Sequence, residues 1–197
     1  QRTVIGGAAV PESMIREFHE KHDVAVIQGW GMTEMSPLGT ANFPKAGMES
    51  MPLDEMYALQ TKAGRGIYGC ELRIVDDEGQ ELPWDGVAYG ALQVRGAWIC
   101  SDYFKLEGNT ESHTEDGWFD TGDIVDIEED GFVKICGRAR RFAKIGGEMV
   151  SLAVAEDLVT RVWLSGQHAV VALPDSQQGE QVVLVPDVWP AWSQAVD

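Results

Sequence analysis

The chain has 197 residues, of which 44% are hydrophobic and 24% are charged, so it is long enough for one or two domains with a real core. Its net charge of −17 argues against non-specific binding to nucleic acids and against docking on an anionic membrane. The acidic excess lies mainly in residues 63–137, which carry 17 acidic and 5 basic side chains. Because residues 1–62 and 138–197 are far less acidic, the sequence predicts three segments with these boundaries.

Residues 1–62 begin with the pattern of a strand, a helix and a second strand. The apolar run Thr3–Ile5 ends at Gly6 and Gly7, and a helix is predicted to begin at Pro11. The run "VAVIQ" then predicts another strand. A crossover of this kind joins parallel strands, so the glycine-rich ends of both strands are expected at one edge of a sheet, where α/β proteins bind ligands.

The second strand leads into "GWGMTEMSPLG" at residues 29–39, which we predict to be a loop. The stretch has too many glycines for a helix and no clean alternation for a strand. Its side chains suit a nucleotide, because Trp30 could stack on a base, Thr33 could donate to a phosphate, and Glu34 could hold Mg²⁺ together with phosphate oxygens. Taken alone, the motif is better explained as a tight loop with a buried Trp and a surface Glu.

Residues 63–137 alternate short β runs with acidic or glycine-containing turns. Such turns recur about every ten residues, which predicts a small antiparallel sheet or a β-barrel-like subdomain. The aromatic residues of this segment are expected in its core and not in a ligand cage. They are Trp98, Trp118, Phe119 and Phe132.

Within this segment, "DTGD" places Asp120 and Asp123 on either side of a Thr–Gly pair. A carboxylate on a tight turn is suited to bridging two ribose hydroxyls. The alternative is a solvated turn between strands, which sequences of this composition often form.

Residues 138–197 open with a basic cluster and continue as an α+β unit. A helix capped by Ser151 is followed by two β runs, "HAVVAL" and "EQVVLV". By itself the basic cluster is best explained as a solvated patch or as a partner for the acidic segment. The predicted fold class is therefore mixed α+β, with the end of a parallel α/β domain, a β-rich subdomain and part of a C-terminal α+β domain. The basic cluster consists of Arg138, Arg140, Arg141 and Lys144.

Cysteine usage favours reduced thiols and a cytoplasmic location. Cys70, Cys100 and Cys136 are widely spaced, form no Cys-x-x-Cys motif and do not cluster with histidine, so neither a disulfide framework nor a zinc site is predicted. No apolar run approaches the ~20 residues of a transmembrane helix, and no signal peptide is recognised. The chain begins inside an apolar run without an initiator Met, which suggests part of a longer protein.

Three stretches, in this order, resemble the AMP-forming acyl-activating superfamily, which includes acyl-CoA synthetases, luciferases and peptide-synthetase adenylation domains. "GWGMTEMSP" resembles its adenine–Mg²⁺ loop, "GWFDTGDIVDIEEDGFVKICGRARR" its ribose-binding strand and hinge, and "KIGGEMVS" the glycine-rich stretch past the hinge. The resemblance covers residues 1–186. Residues 32–40 and 66–99 look like medium-chain fatty acid–CoA ligases. Residues 137–152 and 168–185 look more like the acyl–carrier-protein synthetase half of a bifunctional lysophospholipid acyltransferase.

The resemblance implies two groups of site residues. Thr33 and Glu34 would be catalytic, with Glu34 as the metal ligand, and Arg141 falls where many members carry the hinge aspartate. The nucleotide-binding group would comprise Gly6, Gly7, Ala8, Trp30, Gly31, Met32, Thr33, Asp123 and Arg138. The hinge and thiol-acceptor group would comprise Arg141, Lys144, Gly146, Gly147 and Glu148.

The same resemblance implies an ATP-dependent, AMP-forming fatty acid ligase that uses Mg²⁺. The enzyme would adenylate a fatty acid and then pass the acyl group to the thiol of CoA or to the phosphopantetheine of an acyl carrier protein. The family's Ser/Thr/Gly-rich phosphate loop and C-terminal Gly–Lys segment are absent from this sequence, so the chain is expected to be an inactive fragment of a longer enzyme. The alternative is a non-catalytic acidic interaction module that keeps the fold.

Overall fold

The computed structural model describes residues 1–48, 50–104, 112–146, 148–162 and 168–186. The chain forms two compact units, Gln1–Cys136 and Gly137–Asp197. The predicted three-segment division, with its further boundary at residue 62, stays a prediction. Within the described residues, none of the helices combines the length and the apolar character needed to cross a membrane.

The first unit begins with the predicted strand–helix–strand pattern. Strand β1 (Arg2–Gly6) pairs in parallel with β2 (Ala25–Gly31), and helix α1 (Glu12–His22) connects them, which confirms the predicted crossover. Ile15 of α1 and Val26 of β2 lie in the core beneath the sheet, together with Tyr57. The sheet continues with β3 (Leu38–Ala41) and β4 (Arg65–Gly66), in the order β1-β2-β3-β4, and helix α2 spans Leu53–Gln60.

A second four-stranded sheet follows, in the order β5-β6-β7-β8, and it belongs to the first unit except for the last two residues of β8. Neighbours β5 and β6, and β6 and β7, pair antiparallel, as the turn pattern predicts. Strands β5 and β8 are the edges of this sheet, so it is open and not the closed barrel that the turn pattern also allowed. The strands are β5 (Cys70–Val75), β6 (Tyr89–Gly96), β7 (Phe119–Ile127) and β8 (Val133–Arg138).

The aromatic residues predicted for the core of this sheet are found there. Phe119 and Phe132 are buried, and Trp98 packs against the apolar cluster that contains Phe119. Trp118 is buried, and the guanidinium groups of Arg73 and Arg95 each lie over its ring, 4.5 Å from the centroid. Both contacts have the geometry of favourable cation–π interactions.

One salt bridge and two backbone hydrogen bonds join residues 62–64, which follow α2, to the acidic turn before β8 and to the first residue of β8. The ammonium of Lys62 lies 2.5 Å from the Glu128 carboxylate. The amide of Ala63 donates to the carbonyl of Val133 at 2.9 Å, and the amide of Val133 donates to the carbonyl of Gly64 at 2.8 Å. These contacts explain physically why residues on both sides of position 62 belong to one compact unit.

The second unit has the predicted α+β character. Its sheet has the order β10-β9-β12-β11, and the two predicted β runs form β11 and β12, which pair antiparallel. The amide of Val154 donates to the Ser151 hydroxyl at 3.4 Å, which confirms the predicted N-cap of helix α3 (Leu152–Val162). The strands are β9 (Phe142–Ile145), β10 (Glu148–Ser151), β11 (His168–Asp175) and β12 (Gly179–Pro186).

All three cysteines are free thiols. Burial raises the pKa of Cys70 to about 11. Burial also raises the pKa of Cys100 and that of Cys136, with the nearby carboxylates of Glu34 and Asp126 adding to the two effects. The thiols are therefore protonated at neutral pH, and none has the depressed pKa of a nucleophilic cysteine.

Candidate functional site

The glycine-rich ends of β1 and β2 lie side by side. Gly6 pairs with Gly29, and a Cβ atom added to Gly6 would lie 3.0 Å from the Gly29 carbonyl oxygen. Gly6, Gly7 and Ala8 are exposed, and Gly7 has a φ of +83°, a value that favours glycine. The prediction that both strand ends share one edge is confirmed, and backbone groups line that edge.

Trp30 lies within a strand and not in a loop. Strand β2 runs on to Gly31 because β3 pairs with it, Gly29 opposite Ala41 and Trp30 opposite Thr40, with a bulge after Trp30. The predicted loop was therefore wrong for residues 29–31. The Trp30 side chain is only 8% exposed and belongs to the main core cluster of the first unit.

The indole N–H of Trp30 donates to Oδ2 of Asp123 at 3.0 Å, across 93 residues of sequence. Asp123 is 4% exposed because "DTGD" belongs to strand β7, so the alternative of a solvated turn is wrong for this carboxylate. The amide of Asp123 donates to the Thr121 hydroxyl at 3.2 Å, which in turn donates to the carbonyl of Leu92 at 2.8 Å. The structure thus brings together two residues that the sequence singled out: Trp30, the candidate for contact with a base, and Asp123, the candidate for contact with a ribose.

Replacing Trp30 by phenylalanine tests this buried contact. The variant keeps an aromatic ring in the core and removes the N–H donor from a buried carboxylate. We expect the free energy of unfolding of the chain to fall by about 1–3 kcal/mol. Urea denaturation followed by far-UV circular dichroism measures this change.

Trp84→Phe is the matched control, since the Trp84 side chain is 39% exposed. Its expected loss is about 0.5 kcal/mol, the usual size for a surface substitution. Equal losses for both variants would show that the hydrogen bond to Asp123 contributes nothing measurable.

Thr33 and Glu34 lie on a short 3₁₀ turn, Thr33–Met35, that follows β2. Met35 is fully buried and anchors the turn, and the amide of Met35 donates to the carbonyl of Met32 at 2.9 Å. Thr33 is exposed, and Met32 and Glu34 are half-buried. The turn therefore presents a hydroxyl and a carboxylate to solvent from a fixed base.

Glu34 is held by residues from a distant part of the sequence. The Tyr103 hydroxyl donates to Oε1 of Glu34 at 2.7 Å, and the amide of Cys100 donates to the Glu34 carbonyl at 2.8 Å. The hydrogen bond to Glu34 raises the pKa of Tyr103 to about 12. Sequence reasoning missed Tyr103, which lies 69 residues from Glu34 and outside every motif that the sequence analysis used.

The oxygen donors on this turn fit Mg²⁺ that arrives with a nucleotide. Mg²⁺ prefers hard oxygen ligands and is usually held by one or two carboxylates plus substrate phosphates. Glu34 supplies one carboxylate, and the exposed hydroxyl of Thr33 lies next to it in the sequence. In the part of the chain that the structure describes, no group of three or more His, Cys, Asp or Glu side chains could hold a metal ion alone.

The candidates for the hinge and acceptor side lie in the second unit. Arg141 forms an ion pair with Glu156 of α3, and the amide of Lys144 donates to Glu180 at 2.6 Å. Gly146 has a φ of +58°, and Gly147 lies outside the described residues. Among the described residues from 138 to 148, four candidates have exposed side chains: Arg138 at the end of β8, Arg141, Lys144 and Glu148.

Comparison with known proteins gives concordant matches. Residues 1–104 match a family model described as AMP-binding enzyme. A 3-methylmercaptopropionyl-CoA ligase from Ruegeria lacuscaerulensis is 43% identical over 185 residues, which is 94% of this chain and 34% of that protein. A medium-chain-fatty-acid–CoA ligase from Ectopseudomonas oleovorans is 45% identical over 185 residues, which is 93% of this chain and 33% of that protein.

The fold also matches solved structures, over nearly the whole chain. ATP-bound MatB from Rhodopseudomonas palustris superposes with a TM-score of 0.68 at 28% identity. The match covers 98% of this chain and 36% of that one. The chain therefore spans about a third of the length of the proteins that it matches.

Proposed function

The chain belongs to the AMP-binding enzyme family, as its motifs predict, and from this premise we propose that the complete protein is an ATP-dependent, AMP-forming fatty acid ligase. A carboxylate oxygen of the fatty acid attacks the α-phosphorus of ATP, and the bond to the pyrophosphate leaving group breaks. The resulting acyl-adenylate then transfers its acyl group to a thiol and releases AMP. No protein nucleophile is required, which agrees with the raised pKa of every cysteine thiol.

The hydrogen bond between Trp30 and Asp123 is the observation that supports a nucleotide site most directly. It fixes one oxygen of the Asp123 carboxylate, and we assign the ribose hydroxyls to this residue. Because Trp30 is almost fully buried, the adenine would contact only the exposed edge of its ring. The backbone of Gly6, Gly7 and Ala8 would line the other side of the base pocket, where the lack of bulky side chains permits close approach.

The turn at Thr33–Met35 is assigned to the phosphates, with Gly31 and Met32 leading into it. The Thr33 hydroxyl would donate to the α-phosphate, and the Glu34 carboxylate would hold Mg²⁺. When bound, the ion would offset the negative charge that accumulates on the α-phosphate during attack. The turn needs little reorganisation for this role, since Met35 and the backbone bond to Cys100 fix it to the core.

We assign the second unit to the thiol that accepts the acyl group. Gly137 begins this unit and has a φ of +151°, a value open mainly to glycine, which supports a hinge at this point. We propose that Arg138 contacts the ribose and phosphate side and that Arg141 belongs to the hinge. Lys144 and the stretch from Gly146 to Glu148 would guide the acceptor thiol.

The relatives' names favour particular substrates. They describe ligases for a medium-chain fatty acid and for 3-methylmercaptopropionate, and both join their acid to CoA. A short- or medium-chain acid and the thiol of CoA are therefore the proposed substrates. The phosphopantetheine of an acyl carrier protein stays the alternative acceptor, because the tail of the chain resembles carrier-protein synthetases.

A substrate panel tests the proposal on the complete protein. It would be supplied with ATP, Mg²⁺ and acetate, 3-methylmercaptopropionate, octanoate or palmitate, and pyrophosphate release would be measured. We expect release to depend on the acid, and mass spectrometry should detect the thioester after CoA or carrier protein is added. A folded protein that releases no pyrophosphate with any acid would favour the acidic interaction module instead.

A further inference from the structure

The segment from Trp98 to Tyr103 is tied to the turn that carries Glu34. The amide of Cys100 and the hydroxyl of Tyr103 both donate to Glu34, at 2.8 and 2.7 Å. The Ser36 hydroxyl donates to the Trp98 carbonyl, and the Trp98 indole N–H donates to the Leu38 carbonyl, each at 3.3 Å. Four hydrogen bonds therefore connect these two stretches, and one of them reaches the side chain proposed to hold the cation.

This segment is itself held in place. Trp98 packs against the main core cluster, and a Cβ atom added to Gly69 would lie 2.8 Å from the Trp98 ring. Nε2 of His113 lies 2.8 Å from the carbonyl oxygen of Cys100. Since a carbonyl oxygen only accepts, His113 must donate this bond. Tyr103 therefore reaches Glu34 from a segment that is fixed at both Trp98 and Cys100.

Tyr103 contacts only one oxygen of the Glu34 carboxylate. Oε1 accepts the phenol hydrogen, whereas Oε2 has no hydrogen-bond partner among the described residues. A glutamate on a half-exposed turn would otherwise sample several side-chain rotamers. The phenol thus selects one orientation of the carboxylate and leaves the second oxygen for a ligand.

We propose that Tyr103 is a positioning residue that orients the Glu34 carboxylate for the divalent cation of the nucleotide. The inference rests on the proposed function and adds to it a residue from outside the recognised motifs. Hydrogen-bond partners of metal ligands typically change metal affinity 10–100-fold when they are removed. Because Tyr103 is only partly buried, we expect an effect at the lower end, about 10-fold.

Tyr103→Phe in the complete protein removes the hydroxyl and keeps the ring. The Mg²⁺ concentration for half-maximal pyrophosphate release should rise about 10-fold, while the rate at saturating Mg²⁺ should fall far less. A second readout is independent of turnover. Electron paramagnetic resonance titration of Mn²⁺ in the presence of a non-hydrolysable ATP analogue should show the same loss of affinity.

Two controls separate positioning from a general structural role. Tyr68→Phe alters a tyrosine that is 100% exposed, and its cation affinity should match that of the unaltered protein. In a Glu34→Ala background, adding Tyr103→Phe should weaken Mn²⁺ binding no further, because the side chain that the phenol orients is gone. Additive losses would mean that Tyr103 acts through the fold and would overturn the proposal.

The outcomes distinguish this inference from the function on which it rests. Suppose that the unaltered protein releases pyrophosphate and that the Tyr103→Phe variant has the same Mn²⁺ affinity as the unaltered protein. Then only the proposed role of Tyr103 is wrong. If the unaltered protein neither binds Mn²⁺ with the nucleotide analogue nor releases pyrophosphate, both the proposed function and this inference are wrong.

Discussion

Replacing Glu34 by glutamine is expected to lower acid-dependent pyrophosphate release by the complete protein about 100–1000-fold, the scale seen when one group that stabilises transition-state charge is lost. Glutamine has nearly the same shape, and its amide oxygen can still accept from the Tyr103 hydroxyl. The hydrogen bond from the Cys100 amide goes to the backbone of Glu34 and is unaffected. The variant therefore removes the negative charge and leaves the turn in place.

Steady-state rates over a range of Mg²⁺ concentrations measure the effect. Glu129→Gln is the control, because it removes the same charge from an exposed position on the acidic turn before β8. Its rate should stay within about 2-fold of the unaltered protein, as expected for a surface substitution away from a site. A normal rate for Glu34→Gln at limiting Mg²⁺ would remove Glu34 as the metal ligand.

Replacing Gly31 by alanine is expected to destabilise the first unit severely. A Cβ atom at this position would lie 1.9 Å from the Pro37 carbonyl oxygen and 2.9 Å from the Leu38 Cα atom. Both obstacles are backbone atoms, so no side-chain rotation can relieve the contact. Overpacking usually costs about 1–3 kcal/mol and occasionally more, and we expect a loss of about 3 kcal/mol or more here.

The same substitution should also disturb the site, because Gly31 joins β2 to the turn that carries Thr33 and Glu34. Urea denaturation of the chain gives the loss of stability. Gly29→Ala is the control from the same strand, since its new Cβ would meet the flexible end of Leu38 at 3.0 Å and no backbone atom at that distance. The stability of the control should change by no more than about 1 kcal/mol, because the end of Leu38 can shift and alanine suits a strand better than glycine does. Equal losses would show that the close approach of Pro37 is not what requires glycine at position 31.

Local patterns predicted the main elements of both units. The apolar run before Gly6, the helix that follows and the run "VAVIQ" form the parallel pair β1 and β2, because periodicity and turn residues act over a few neighbouring positions. The spacing of acidic turns predicted the antiparallel strands β5 to β7 for the same reason. The order of three short motifs predicted the family through its resemblance to the AMP-forming acyl-activating enzymes.

The same patterns failed where pairing depends on distant partners. Strand β3 has the sequence "LGTA", which shows no alternation of apolar and polar residues, and it becomes a strand because β2 and β4 pair with it. Residues 29–31 were predicted as a loop because the local pattern does not reveal β3 as their partner strand. Glycine is a poor strand former on its own, but here it permits the close approach of Pro37.

What the sequence alone determined is therefore the inventory of the candidate site: a carboxylate and a hydroxyl at Glu34 and Thr33, an aromatic at Trp30 and a second carboxylate at Asp123. Only the tertiary structure decided how these groups are held. The bond from Trp30 to Asp123 spans 93 residues, and the bond from Tyr103 to Glu34 spans 69. Contacts at such separations form because the two sheets share one apolar core in the first unit, and no local pattern of residues encodes them.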